Sequence, residues 1–421
     1  MSEKIKILTI SDMPFAPSGV GTQARYMIES LLATGKYQFI SLGGAMKHPE
    51  YKPIKTEEHG DDWIVYPVDG YGNKEIVRSI LRTEKPDALW FMTDPRFWGW
   101  LWEMENEIRP LVPMIYYHVW DNYPYPNYNK KFYDSNDIVA CISKLTHDIV
   151  QTVSPDVKSV YIPHAVNPDA FKKYDEDSIK QFAINSLGDK YDPDKFVFFW
   201  NNRNARRKQS GSLLYWFKAF LDKVGHNKAM LIMHTDVKDV HGQDLESIIK
   251  NLGLTNGEVT FSQQKVTPEI LACLYNLADC TISISDAEGF GLSTLESLSC
   301  ETPIIATMTG GLQEQVTDGK EWFGIGLKPT SKAVIGSQEI PYIYEDRLSE
   351  EVVVDAMLKM YNMSQEEREE LGKKCRNHAV KNYNFDNFVK QWDELFTMIK
   401  EEYGSWDTRR PHKCWVLKEI A

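Results

Sequence analysis

Two glutamates eight residues apart bracket the stretch Glu288-Gly-Phe-Gly-Leu-Ser-Thr-Leu-Glu296. Gly289 and Gly291 carry no Cβ, so the backbone there can come close to a ligand. The apolar, β-rich run Cys280–Ser285 precedes this stretch and the helix-forming Leu295–Leu298 follows it. A strand therefore feeds a loose loop, and the loop feeds a helix. The start of that helix offers unpaired backbone N–H groups and the positive end of a dipole, a ready place for a phosphate. A phosphate site flanked by two carboxylates that can accept hydroxyl hydrogen bonds has the parts a sugar diphosphate needs. A buried strand–turn–helix with merely solvated acids is the alternative that the glycines alone leave open.

A second stretch supplies the complementary charge. Asn201-Asn202-Arg203-Asn204-Ala205-Arg206-Arg207-Lys208 follows the apolar run Phe196–Trp200. A diphosphate leaving group gains negative charge as the bond to it breaks. Fixed cations aimed at it lower the barrier rather than only improving binding. A solvated basic loop is the plainer reading of a charge run; its place after the first strand of a second sheet favours phosphate. Arg206 and Arg207 can reach an anionic acceptor.

The Glu-x7-Glu block resembles the nucleotide-sugar site of retaining glycosyltransferases of the GT-B fold. This is the group 1 family that includes sucrose-phosphate synthases and bacterial mannosyltransferases. The resemblance implies that Glu288 sits by the donor sugar and that Glu296 holds the ribose hydroxyls. It puts Gly289, Phe290, Gly291 and Leu292 in the donor loop between them. The family's pattern of Gly-Arg, four residues, Lys is matched by Arg203 and Lys208, with Asn202 in the place of the glycine. Thr309-Gly310-Gly311-Leu312-Gln313-Glu314 resembles a further family loop, in which backbone amides at a helix start approach the donor. Val160–Phe171 resembles the interdomain signature Ile-Pro-Asn-Gly-Val-Asp, with His164-Ala165 where Asn-Gly is usual. Nearer the amino terminus, the loop carrying Gly19 and Gly21 is implied to face the cleft. His118 and Asp121, after an apolar run, are implied to lie near the donor sugar and the acceptor. His118 is equally a satisfied structural histidine.

The implied chemistry is front-face attack with no assigned protein nucleophile. Glu288, His118, Arg203 and Lys208 are then the catalytic candidates. The donor is a nucleoside-diphosphate sugar, a UDP-sugar before others. No cofactor and no metal are expected, the metal's role falling to Arg203, Lys208 and the helix amides. The acceptor stays open: a saccharide, a lipid, a protein or a hydroxymethylated pyrimidine of DNA. A protein that binds a nucleotide sugar without transferring it is the reading from another class.

The elements that must position these residues alternate along the chain. Apolar runs at Ile5–Ile10, Tyr37–Leu42, Trp63–Val68, Ala88–Met92, Pro113–His118 and Ile138–Ile142 are separated by helix-like segments, which predicts a doubly wound parallel sheet. Thr22 is the expected cap of the first helix. A second such sheet is predicted from Phe196–Trp200, Ala229–Met233, Val259–Phe261, Cys280–Ile284, Pro303–Ala306 and Phe323–Leu327. The expected architecture is α/β: two Rossmann-like domains facing each other across a cleft. Residues 1–170 form the acceptor-side domain, 171–192 a linker and 193–384 the donor domain. The last helix and tail, 385–421, cross back to the first domain. The tail Tyr403–Ala421, basic at Arg409, Arg410, His412 and Lys413, is expected to pack on that domain or on a partner.

Composition narrows the class. At 421 residues the chain exceeds one ordinary core, so two domains are expected. A net charge of −12 argues against a protein that lives on nucleic acid backbone, while leaving room for a local basic groove. The six cysteines form no C-x-x-C pair, which fits reduced thiols and a cytoplasmic location. No apolar run is long enough to span a bilayer.

Overall fold

The apolar runs of the first half become one sheet in the computed structural model, which describes residues 4–410 and 412. Its strands are β1 (Ile5–Asp12), β2 (Tyr37–Gly44), β3 (Ile54–Lys55), β4 (Trp63–Pro67), β5 (Ala88–Met92), β6 (Met114–His118), β7 (Ile138–Cys141) and β8 (Lys158–Tyr161). They lie in the order β3-β4-β2-β1-β5-β6-β7-β8. All pairs are parallel except the short β3 with β4. Every residue of β5, β6 and β7 is buried. That is the mark of parallel strands covered on both faces, and it explains why their sequences show no alternation.

The second sheet is built from β9 (Phe196–Asn201), β10 (Ala229–His234), β11 (Val259–Ser262), β12 (Cys280–Ser283), β13 (Ile304–Thr307) and β14 (Gly324–Leu327). Its order is β11-β10-β9-β12-β13-β14, parallel throughout. The aromatic side of β9, Phe196, Phe198 and Trp200, packs with Phe217 and Phe220 of the helix Ser210–Val224 into this unit's own core. An antiparallel hairpin not foreseen from the sequence follows, made of β15 (Ser331–Ile335) and β16 (Ile343–Arg347).

The chain divides into two units. The first holds residues 1–120, 125–164 and 386–421; the second holds Asp121–Pro124 and Ala165–Phe385. The expected boundary at residue 170 thus moves to His164/Ala165. The expected linker, 171–192, is part of the second unit, where the helix Glu176–Leu187 belongs. Asp121 also changes sides.

The last helix, Phe385–Met398, shows why the first unit is discontinuous in sequence. Its buried face is Phe388, Trp392, Leu395 and Phe396. The Trp392 ring lies edge-on to Trp90 at 5.9 Å and to Tyr117 at 4.9 Å. Beyond it, Ser405 Oγ donates to Asp87 at 2.8 Å, Trp406 Nε1 to the Pro86 carbonyl at 2.8 Å and Arg409 to Asp137 at 2.8 Å. The tail therefore packs on the first unit through Arg409 and through His412, whose Nδ1 lies 4.0 Å from Asp137, while Arg410 bonds back to Tyr403 and Glu401 of the tail itself. Lys413 and the rest of the expected basic tail lie outside the described residues. The five described cysteines are all free thiols. Among the described residues no helix is long and apolar enough to cross a membrane.

Candidate functional site

In the second sheet β9 has β10 on one side and β12 on the other, so the strand order reverses between β9 and β12. Ligands of open α/β sheets bind outside the carboxyl ends of the strands at such a reversal. The two loops that start there are the basic stretch after Asn201 and the glycine loop after Ser283. The sequence had singled out both.

Within the basic stretch, Arg206–Lys208 form a single tight turn ahead of the helix Ser210–Val224. Lys208 is buried and its ammonium meets the Glu288 carboxylate directly. Arg207 donates to the Ala287 carbonyl and lies 3.6 Å from the same carboxylate. The Asp286 amide closes the join by donating to the Arg207 carbonyl at 2.8 Å. Burial alone would push the Glu288 carboxyl up; the charges of Lys208 and Arg207 outweigh it and hold the group below the usual carboxylate range. Burial lowers the Lys208 ammonium. Arg207 is raised despite its burial, by the charges of Glu288 and Asp121. Asp121, now part of the second unit, thus stands within electrostatic reach of both cations.

Arg203 corrects the expectation that it acts beside Lys208. Its guanidinium is bidentate to Asp239, at 2.6 and 3.1 Å, and 61% of the side chain is exposed. Arg207 takes the place next to Lys208. Arg206 turns a third way, bidentate to Glu345 of the hairpin at 2.7 and 2.6 Å. Arg347 pairs with Asp286 and Glu345, so four charged residues fasten the hairpin to the loop before Glu288. This network walls a cavity of about 350 Å³, lined in part by Gln209 and Trp216, that reaches neither Glu288 nor Glu296.

The helix Leu292–Ser299 begins as the sequence demands. Gly291 sits ahead of it at φ +94°, and no side chain caps its first turn. A positive φ of that size favours glycine over any residue with a Cβ. Phe290 is buried with its ring edge-on to Tyr383 at 5.6 Å. Glu296 lies further along the same helix and, among the described residues, forms no ion pair. The Tyr275 hydroxyl donates to its carboxylate at 2.7 Å and Asn201 Nδ2 at 3.4 Å. Burial pushes this carboxyl up to about 7.

Gly310 and Gly311 join loop to loop. The Gly311 amide donates to the Glu288 carbonyl at 2.9 Å, so it is not available to a ligand. A Cβ on Gly310 would overlap that carbonyl, and one on Gly311 would lie 2.5 Å from the Gly289 oxygen. Both glycines thus let this loop pack closely against the loop that carries Glu288.

In the first unit, His118 is fully buried with Nε2 2.9 Å from the Tyr133 hydroxyl, and burial holds its pKa near 3. A ring so enclosed has the surroundings of a structural histidine. Gly19 opens the helix Gly19–Ala33, whose cap is Ser18 rather than Thr22: the Ser18 hydroxyl accepts from the Gly21 amide at 3.0 Å. A Cβ on Gly21 would come within 2.6 Å of the Met13 carbonyl, so this glycine is needed for close packing of its own loop. That loop follows β1, at the reversal of the first sheet between β1 and β5.

Sequence reasoning missed Tyr275 and Asn201 as the partners of Glu296, and Arg207 as the partner of Glu288. Arg207 had a signal, since it adjoins Lys208. Nothing in a helical run reveals that the Tyr275 hydroxyl points at a carboxylate. Among the described residues no group of His, Cys, Asp or Glu side chains is arranged to hold a metal ion.

Residues 190–378 match the model of glycosyl transferases group 1. A D-inositol 3-phosphate glycosyltransferase of Corynebacterium urealyticum is 30% identical over 155 residues, 37% of this chain and 31% of the relative. The chain thus spans about a third of the length of that curated relative. The sucrose-phosphate synthase of Thermosynechococcus elongatus superposes with a TM-score of 0.74 at 16% identity, over 94% of this chain and 99% of the other. Anabaena HepE, solved in complex with UDP-glucose, superposes with a TM-score of 0.68 at 15% identity, over 93% and 99%. The switch point, its Lys208–Glu288 pair and these likenesses agree: the protein has the GT-B fold, and its residues 190–378 are similar to the glycosyl transferases group 1 family.

Proposed function

We propose that this protein moves a sugar from a nucleoside-diphosphate sugar, a UDP-sugar first, to an acceptor hydroxyl with retention of configuration and without a metal. The observation that carries the reading is the ion pair of Lys208 with Glu288, with Arg207 beside it, at the strand-order reversal and just ahead of an uncapped helix start. In this reading the bond from the anomeric carbon to the diphosphate oxygen breaks while the acceptor oxygen bonds to the same face. The acceptor proton leaves with the diphosphate. Negative charge grows on that leaving oxygen, and cations already in place stabilise it without reorganising. Glu288 orients Lys208 and accepts from the donor sugar's hydroxyls; Glu296 accepts from the ribose. The complex of Anabaena HepE with UDP-glucose supports the choice of donor, and the inositol-phosphate glycosyltransferases support transfer to a polyol.

The test is incubation of the full chain with UDP-, GDP- and ADP-glucose, each with a mixed pool of polyol and sugar acceptors and with a chelator. Release of UDP with a product of retained anomeric configuration is the expected result. Nucleotide binding without release from any donor would leave a silent binder instead. Release that stops with the chelator would overturn the metal-free part of the reading.

A further inference from the structure

The hairpin of β15 and β16 carries groups that the proposed reaction does not use. Its register sets Lys332 opposite Asp346 and Val334 opposite Tyr344. Strand alternation then puts Lys332, Val334 and Tyr344 on one face, with Tyr342 just ahead of β16. The other face, through Glu345 and Arg347, is the one fastened to Arg206 and Asp286. The free face is open: Val334 is 64% and Tyr342 45% exposed.

Tyr123 extends that face. It bridges Tyr344 in antiparallel fashion, and Asn122 Nδ2 donates to the Tyr344 carbonyl at 3.0 Å. Lys332 Nζ lies 5.9 Å from the centre of the Tyr123 ring and 5.8 Å from that of Tyr344. Although Asp346 stands opposite it in register, Lys332 makes no ion pair among the described residues. The two rings hold the ammonium by cation–π attraction, with Asp346 across the hairpin rather than in an ion pair.

Two links place this platform by the donor site. Asp286, which anchors the hairpin, is two residues before Glu288. Asp121, two residues before Tyr123, acts on Arg207 and Lys208. We propose that Lys332, Tyr123 and Tyr344 form the acceptor subsite for a small hydroxylated ring that carries an anionic group. Lys332 meets the anion, and the tyrosine faces lie against the ring. Only the word acceptor rests on the transfer reading; the binding stands apart from it.

The experiment titrates the full chain, with UDP present in excess, with glucose 6-phosphate, glucuronate and glucose, and repeats it on Lys332→Met and Tyr344→Ala. The wild type is expected to bind the two anionic probes about tenfold more tightly than glucose. Lys332→Met should erase that difference, and Tyr344→Ala should weaken all three. Equal affinities in the wild type, or a Lys332→Met protein indistinguishable from it, would overturn the subsite. So would a single-stranded oligonucleotide that binds more tightly than glucose 6-phosphate, which would make the platform a nucleic-acid surface. A protein that behaves as expected here yet releases no UDP from UDP-glucose keeps the subsite and loses the transfer reading.

Discussion

Glu288 and Glu296 are chemically identical, share one loop and helix, and are held in opposite protonation regimes. Glu288 has Lys208 and Arg207 against it and stays ionised. Glu296 has only the dipoles of Tyr275 and Asn201, and burial raises it to about 7. The sign of the resulting pH dependence follows. Its folded pKa lies above the unfolded value of about 4.3, so its contribution to stability is complete below that pH and is lost as pH rises through about 7. The loss is on the order of 2–4 kcal/mol. Glu296→Gln should therefore flatten the fall in unfolding free energy between about pH 5 and 8, read by urea unfolding of both proteins side by side. The side-by-side design cancels His118 and His164, whose buried rings are held near 3 and whose contributions run the other way. An unchanged difference between the proteins at both ends of that range would show that Glu296 is solvated. The same residues mark how far the sequence could be read. The two glutamates and Lys208 were legible because motif spacing fixes them relative to a strand end. Arg203 and Arg207 were not, because spacing does not say which way a loop arginine turns. That is decided by Asp239 and Ala287, distant in sequence.

At the scale of elements, the parallel strands were legible because full burial writes continuous apolar runs. The hairpin was not. Ser331–Ile335 is largely exposed, and Ile343–Arg347 buries Glu345 and Asp346, so neither run shows an apolar face. Its anchor is an ion network whose members come from three separate stretches. Gly310 and Gly311 were legible as glycines worth explaining, but their close packing against the Glu288–Phe290 backbone was not. Gly310 is also at φ +51°, so a side chain there adds strain to collision. Gly310→Ala should cost about 1–3 kcal/mol and move the Glu288 loop away from Lys208. The expected result is a lower denaturation midpoint and at least about tenfold weaker UDP binding. Full stability and full affinity in that variant would mean that the two loops are not held this closely.

On the scale of the whole molecule, the discontinuity of the first unit makes its stability depend on the far end of the chain. Residues 386–410 supply Phe388, Trp392 and Phe396 to its core and Arg409 to Asp137. Trp392 is fully buried against Trp90 and Tyr117, and removing one such ring costs about 3–5 kcal/mol by itself. Losing the whole helix, with its three buried aromatic rings, is comparable to the roughly 5–15 kcal/mol by which a domain is ordinarily stable. The core cluster of the second unit, which runs from Phe196 to Met360, contains no residue of this helix. A chain cut after Phe385 should thus lose the calorimetric transition of the first unit while the transition of the second persists near its original temperature. UDP should still raise that surviving transition, because Lys208, Glu288 and Glu296 all lie within it. If both transitions vanished together, or both survived, the division at His164 and Phe385 would not describe how the chain is held together.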